Sequence, residues 1–136
     1  MVEFILPVRV YYEDTDSGGV VYYANYLKFM ERARTEWLRR LGFKQDRLRD
    51  ESGIMFAVSR AEVEYRSPAR FNDALEVGAT ITTMGRASLL FQHQIRRAGE
   101  SPILCSGRVK VACVDAARFL PAPIPRQIIE ALGDGE

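Results

Sequence analysis

Residues 25–42 read NYLKFMERARTEWLRRLG. Placed every 100° around a helix axis, Tyr26, Phe29, Met30, Ala33, Trp37 and Leu41 fall on one broad apolar stripe, with Leu27 and Leu38 at its border. Lys28, Glu31, Arg32, Thr35 and Arg39 take the opposite side. Asn25 is placed to serve as N-cap and Gly42 as the C′ residue. Glu31/Arg34 and Glu36/Arg40 have the spacing of i,i+3 and i,i+4 ion pairs. The spacing therefore predicts a helix over 26–41 with one face committed to a core.

Outward from this helix the period changes to two. Residues 4–12 (FILPVRVYY) predict a first strand. Beyond a polar connector from Lys44 to Gly53, four more strands are expected, at 55–66, 74–84, 88–97 and 102–114. Turns at RSPARFND, MGRAS and RAGESP separate them. The segment LPAPIP precedes a short amphipathic tail helix, Arg126 to Leu132. Strand, helix and four consecutive strands joined by hairpin-sized turns predict an α+β fold, a largely antiparallel five-stranded sheet packed on one helix. A single helix covers one face of such a sheet, so a homo-oligomer is expected, built on a two-fold dimer that extends the sheet.

Bulk properties narrow the function. The chain has 136 residues, 47% hydrophobic and 27% charged, with a formal net charge of +1. That size buries a core without disulfides or metal, and the neutral balance with no basic stripe argues against nucleic acid as partner. MVEFILPVRV lacks both a basic n-region and a long apolar run, so neither a signal peptide nor membrane insertion is expected, and the cytoplasm is the expected location. Cys105 and Cys113 lie on one predicted strand, about 27 Å apart if extended, which predicts buried thiols. One histidine and no paired ligand spacing give no metal site, and no cofactor is expected.

The chemistry concentrates ahead of the helix, in YYEDTDSGGVVYYANY, residues 11–26. Acids beside glycines often do no more than make turns, and Glu13 and Asp14 fit that role. Asp16 differs, because Ser17-Gly18-Gly19 can bend the chain sharply before the apolar run from Val20 to Tyr23 returns it to the helix start. A helix N-terminus carries unpaired N–H groups and about half a positive charge, which suit a developing oxyanion. A carboxylate facing an amide near Tyr23 is an arrangement for acyl transfer.

The stretch YYEDTDSGGVVYYANYLKFMERARTEWLR closely resembles the signature of the Tol-Pal-associated acyl-CoA thioesterases, within the 4-hydroxybenzoyl-CoA thioesterase family of hotdog folds. The similarity spans residues 5–120, YRSPARFND included. It implies a single hotdog domain over 1–136, a sheet wrapped around a central helix, dimers that pair into tetramers, and metal-free hydrolysis of acyl-CoA or an acyl-carrier thioester. The family's catalytic aspartate falls on Asp16, and the backbone amide that polarises the thioester carbonyl falls on Tyr23. Many members of the Tol-Pal branch have histidine at the position of Tyr23; a backbone amide serves with either side chain. The turn before SLLF lies near the coenzyme A phosphates in the family, which points to Arg86, and an arginine fork suits phosphate. Gly19, Val21 and Ser67 complete the substrate-binding set.

Other polar residues have simpler roles. Ser67 and Asn72 taken alone are turn residues, Arg66 and Arg70 are loop cations, and Glu62 and Glu64 occupy an exposed strand face. His93 shares the apolar face of its strand with Leu89, Phe91 and Ile95, which predicts a hydrogen-bonded core or interface histidine. Two alternatives stand beside thioester hydrolysis. One is a hydratase or dehydratase on the same fold, which needs a further base near Asp16. The other is a non-catalytic acyl-binding scaffold protein.

Overall fold

The computed structural model describes residues 3–133. Strand β1 (Phe4–Arg9) leads through a 3-10 turn (Tyr12–Asp14) to helix α1 (Asn25–Arg40), then to a short helix α2 (Gln45–Arg47). Strands β2 (Ile54–Tyr65), β3 (Ala74–Met84), β4 (Ser88–Arg97) and β5 (Ile103–Asp115) follow, and α3 (Arg126–Gly133) closes the fold. All five strands join one antiparallel sheet in the order β1-β3-β4-β5-β2. The sheet packs round α1, the hotdog arrangement that the resemblance implies.

The expected apolar stripe of α1 is the stripe that is buried. Phe29, Met30 and Ala33 are sealed completely, with Tyr26, Trp37 and Leu38 beside them. They meet Leu75, Val77 and Ala79 of β3, Leu89, Phe91 and Ile95 of β4, and Val109 and Val111 of β5, the inward set that period-two alternation selects. Met30 presses so close to the sheet that a Cβ on Gly107 would lie 2.8 Å from its thioether, so a larger residue there would require the Met30 side chain to shift. At the far end of α1, Gly42 adopts φ 97°. Phe43 N–H donates to Leu38 O at 2.9 Å and Gly42 N–H to Arg39 O at 3.0 Å, a Schellman closure at the expected position.

Three local expectations are corrected. The first strand stops at Arg9, because Tyr12–Asp14 turn into a 3-10 turn whose acid binds back: Tyr11 N–H donates to Asp14 Oδ2 at 2.8 Å. Asn25 is the first helical residue and not the cap; Ala24 precedes it in helical geometry with no side-chain cap. Among the described residues neither expected α1 ion pair forms. Glu36 pairs with Arg39 at 3.2 Å, while Arg34 turns inward and is buried. The outer sheet face stays polar, presenting Thr80, Gln92, Arg108 and Glu62 on neighbouring strands. Strand β2, 12 residues long, ends the sheet on one side, with a register shift between Val58 and Arg60 and Val58 53% exposed.

Candidate active site

The bend around Asp16 is a closed hydrogen-bonded loop. Asp16 N–H donates to Val20 O and Gly19 N–H to Asp16 O, both at 3.0 Å, while Thr15 and Val21 form an antiparallel bridge at its neck. Within it, Gly18 N–H donates to Asp16 Oδ1 at 2.8 Å, which fixes one carboxylate oxygen and leaves Oδ2 without a protein partner among the described residues. Asp16 is exposed. Asp14 is committed elsewhere. Its carboxylate holds Tyr11 N–H, and its carbonyl accepts Tyr22 N–H at 2.9 Å and Asn25 Nδ2 at 2.8 Å. The amide of Asn25 thus ties the acid turn to the helix start, the task that displaces it from capping.

The helix start leaves two donors open. Asn25, Tyr26 and Leu27 donate their N–H groups to the carbonyls of Tyr22, Tyr23 and Ala24 at 2.9, 3.4 and 3.2 Å, a tight 3-10-type first turn. Among the described residues the N–H groups of Tyr23 and Ala24 meet no acceptor. Because peptide units are planar and trans, each points opposite to a carbonyl directed along the helix, and so away from its N-terminus. Tyr65 steadies this peptide by donating its hydroxyl to Tyr23 O at 3.1 Å, and its ring packs edge-on to Tyr26. Tyr26 Oη in turn accepts Ala69 N–H at 3.0 Å. In the sequence the positioning role of Tyr65 is marked only by its place as the aromatic that ends a strand and opens YRSPAR, and that of Tyr26 is hidden in the apolar stripe of α1.

Asp16, Gly19, Val21, Tyr23 and Ser67 gather at one end of the sheet. Val21 is buried and its N–H donates to Ala69 O at 2.8 Å, while Val20 bridges Arg70. Gly19 is exposed at φ 77°, and Ser67 is exposed with its N–H on Leu104 O at 3.1 Å. Tyr22, Tyr23 and Tyr65 add exposed aromatic surface. Arg86 lies apart. It sits in the β3–β4 turn, whereas the Asp16 bend packs against residues 69–73 at the other end of β3, an 11-residue strand of about 36 Å. Arg66 is paired with Glu64 at 2.9 Å, and Arg60 with Glu62 at 2.6 Å.

His93 is fully buried in the core, as its position among apolar neighbours predicts. Its Nδ1 donates to Gly78 O at 3.0 Å and its Nε2 accepts from Arg34 Nη1 at 2.9 Å. Burial first, and the Arg34 charge second, press its pKa down to about 3, so the imidazole is neutral. Cys105 and Cys113 are free, buried thiols, and burial pushes Cys105 up to about 12. Among the described residues no helix is long and apolar enough to cross a membrane.

A family model described as the thioesterase-like superfamily matches residues 10–132. The acyl-CoA thioester hydrolase YbgC of Escherichia coli is 48% identical over 126 residues, covering 93% of this chain and 92% of that protein. The acyl-CoA thioesterase YbgC of Haemophilus influenzae is 43% identical, covering 92% and 90%. In fold, the chain superposes on a 1,4-dihydroxy-2-naphthoyl-CoA thioesterase from Synechocystis with a TM-score of 0.91 and 24% identity, over 98% of this chain and 97% of the other.

Proposed function

The chain belongs to the thioesterase-like superfamily, and we propose that it is an acyl-CoA thioesterase that cleaves acyl-CoA to free acid and coenzyme A. The observation that carries the mechanism is the pair of unpaired N–H groups at the start of α1, tied through Asp14 to the loop that holds Asp16. In this reading the Tyr23 amide donates to the thioester oxygen, and the helix end stabilises the charge that develops there. Asp16 supplies the attack. As nucleophile it adds to the carbonyl carbon and expels the coenzyme A thiolate, leaving a mixed anhydride that water opens to free acid and carboxylate. As general base it takes a proton from water attacking the same carbon. Gly19, Val21 and Ser67 border the acyl group and its thioester.

Arg86 fits this scheme only from another subunit, since the length of β3 separates it from Asp16 in its own chain. A two-fold dimer through the open β2 edge, paired again into a tetramer, supplies such an arginine for the coenzyme A phosphates. The hydratase reading is disfavoured by the histidine: the chain has one, and it is buried and bonded on both nitrogens.

Thiol release from a panel of acyl-CoAs tests the proposal. Asp16→Asn keeps the acceptor for Gly18 N–H while removing charge and basicity, so folding survives and turnover falls by about 10²-fold or more. Asp14→Asn retains an acceptor for Tyr11 N–H and costs several-fold at most. Wild-type turnover in Asp16→Asn would remove Asp16 from catalysis; absence of turnover in the wild type, with binding retained, would establish the scaffold alternative.

A further inference from the structure

Arg34 is a buried cation with no direct ion pair, the Glu31 carboxylate acting on it only from a distance. It is only 8% exposed, and among the described residues no carboxylate lies within 4 Å of it. Its one hydrogen bond spends Nη1 on a neutral imidazole, whose other nitrogen is held by Gly78 O, so the imidazole cannot turn away. The guanidinium also rests on the Phe91 ring, 5.8 Å from its centroid. A charge left unpaired in a protein interior is destabilising, so an arginine so placed favours an anion as its partner. Burial lowers its pKa only to about 10, so it keeps its charge at neutral pH.

Space for that anion exists beside it. A cavity of about 130 Å³ lies under the middle of α1, bordered by Arg34, by Leu89 and Phe91 on the sheet and by Phe56 on β2. That compares with the roughly 150 Å³ cavity that admits benzene. Arg34 lines this space, and among the described residues its Nε and Nη2 have no hydrogen-bond partner. The rim is polar and self-engaged: Gln45 Nε2 donates to Thr35 Oγ1 and Thr35 Oγ1 to Glu31 Oε2, both at 3.3 Å. That chain turns the Glu31 carboxylate toward Thr35.

We propose that this cavity is a binding site for small monocarboxylic acids with an apolar body, the carboxylate on the free Arg34 nitrogens and the body against Phe91, Leu89 and Phe56. An arginine fork matches carboxylate geometry, and the apolar walls offer a hydrated inorganic anion no compensation for lost water. The site is separate from the Asp16 bend, lying near the middle of α1 and not at its start. Binding stands independently of the proposed activity; if that activity holds, a free carboxylic acid is one of its two products and the site receives it.

Calorimetric titration of the wild-type protein with benzoate, benzamide and inorganic phosphate tests this. Benzoate is expected to bind, benzamide of the same shape at least about tenfold more weakly, and phosphate not at all. Arg34→Gln, checked for cooperative unfolding, is expected to weaken benzoate by a similar factor. Should that variant fail to fold, the benzoate–benzamide pair on wild type decides alone. Equal binding of the two, or no benzoate binding at millimolar concentration, would overturn the site. So would unchanged benzoate affinity in folded Arg34→Gln. Because the readout is binding, an inactive enzyme that still binds benzoate would separate failure of the thioesterase reading from failure of this one.

Discussion

Lowering the pH from 7 to 5 should expose the cost of burying His93. Its native pKa is about 3 and the unfolded reference is 6.5, so between those values the unfolded chain binds a proton that the native one refuses. Stability therefore rises with pH across this window and falls as the solution is acidified from 6.5 toward 3. At pH 5 the unfolded imidazole is almost wholly protonated and the native one neutral, a difference of about 2 kcal/mol relative to pH 7. The chain has a single histidine, so the effect is separable. In His93→Gln the amide offers a donor to Gly78 O and an acceptor to Arg34 Nη1, while nothing titrates at that position. Urea unfolding at fixed protein concentration, wild type against variant at both pH values, measures the difference in slope; carboxylates common to both cancel. Parallel losses in the two proteins would refute the assignment of His93 as a buried neutral histidine.

Arg86→Ala should raise KM for acyl-CoA by the equivalent of about 1–3 kcal/mol with kcat far less affected; an unchanged KM returns Arg86 to the solvated surface. Sedimentation at micromolar concentration should show a dimer or tetramer, and a monomer alone would remove the intersubunit role given to Arg86. Gly42→Ala forces a Cβ into φ 97° and should cost about 1 kcal/mol or more in chemical unfolding; a neutral result would mean that the Schellman turn relaxes freely.

Much of the fold is written in short-range periodicity. The stripe from Tyr26 to Leu41 predicts the buried face of α1, and the alternation in 74–84 and 88–97 predicts β3 and β4 to the residue, because the burial of each side chain follows from helix or strand geometry. Gly42 was legible for the same reason, its role depending on one backbone angle. The DTDSGG bend and the helix start are close in the chain, so their presence at one end of the sheet is a local matter as well. Pairings between distant residues were not legible. Arg34 has ion-pair spacing to Glu31, yet it folds inward to His93, 59 positions away, once β4 is registered between β3 and β5 with His93 opposite Ala79 and Gly107. Asn25 has the chemistry of a cap, but the Asp14 carbonyl arrives from the acid turn and takes its amide. Arg86 is set at the opposite end of the sheet from Asp16 by the length of β3 and the hairpin it begins. Helical and strand periods constrain a side chain against its own backbone, whereas these partners are chosen by strand order and register, which exist only after the sheet has closed around the helix.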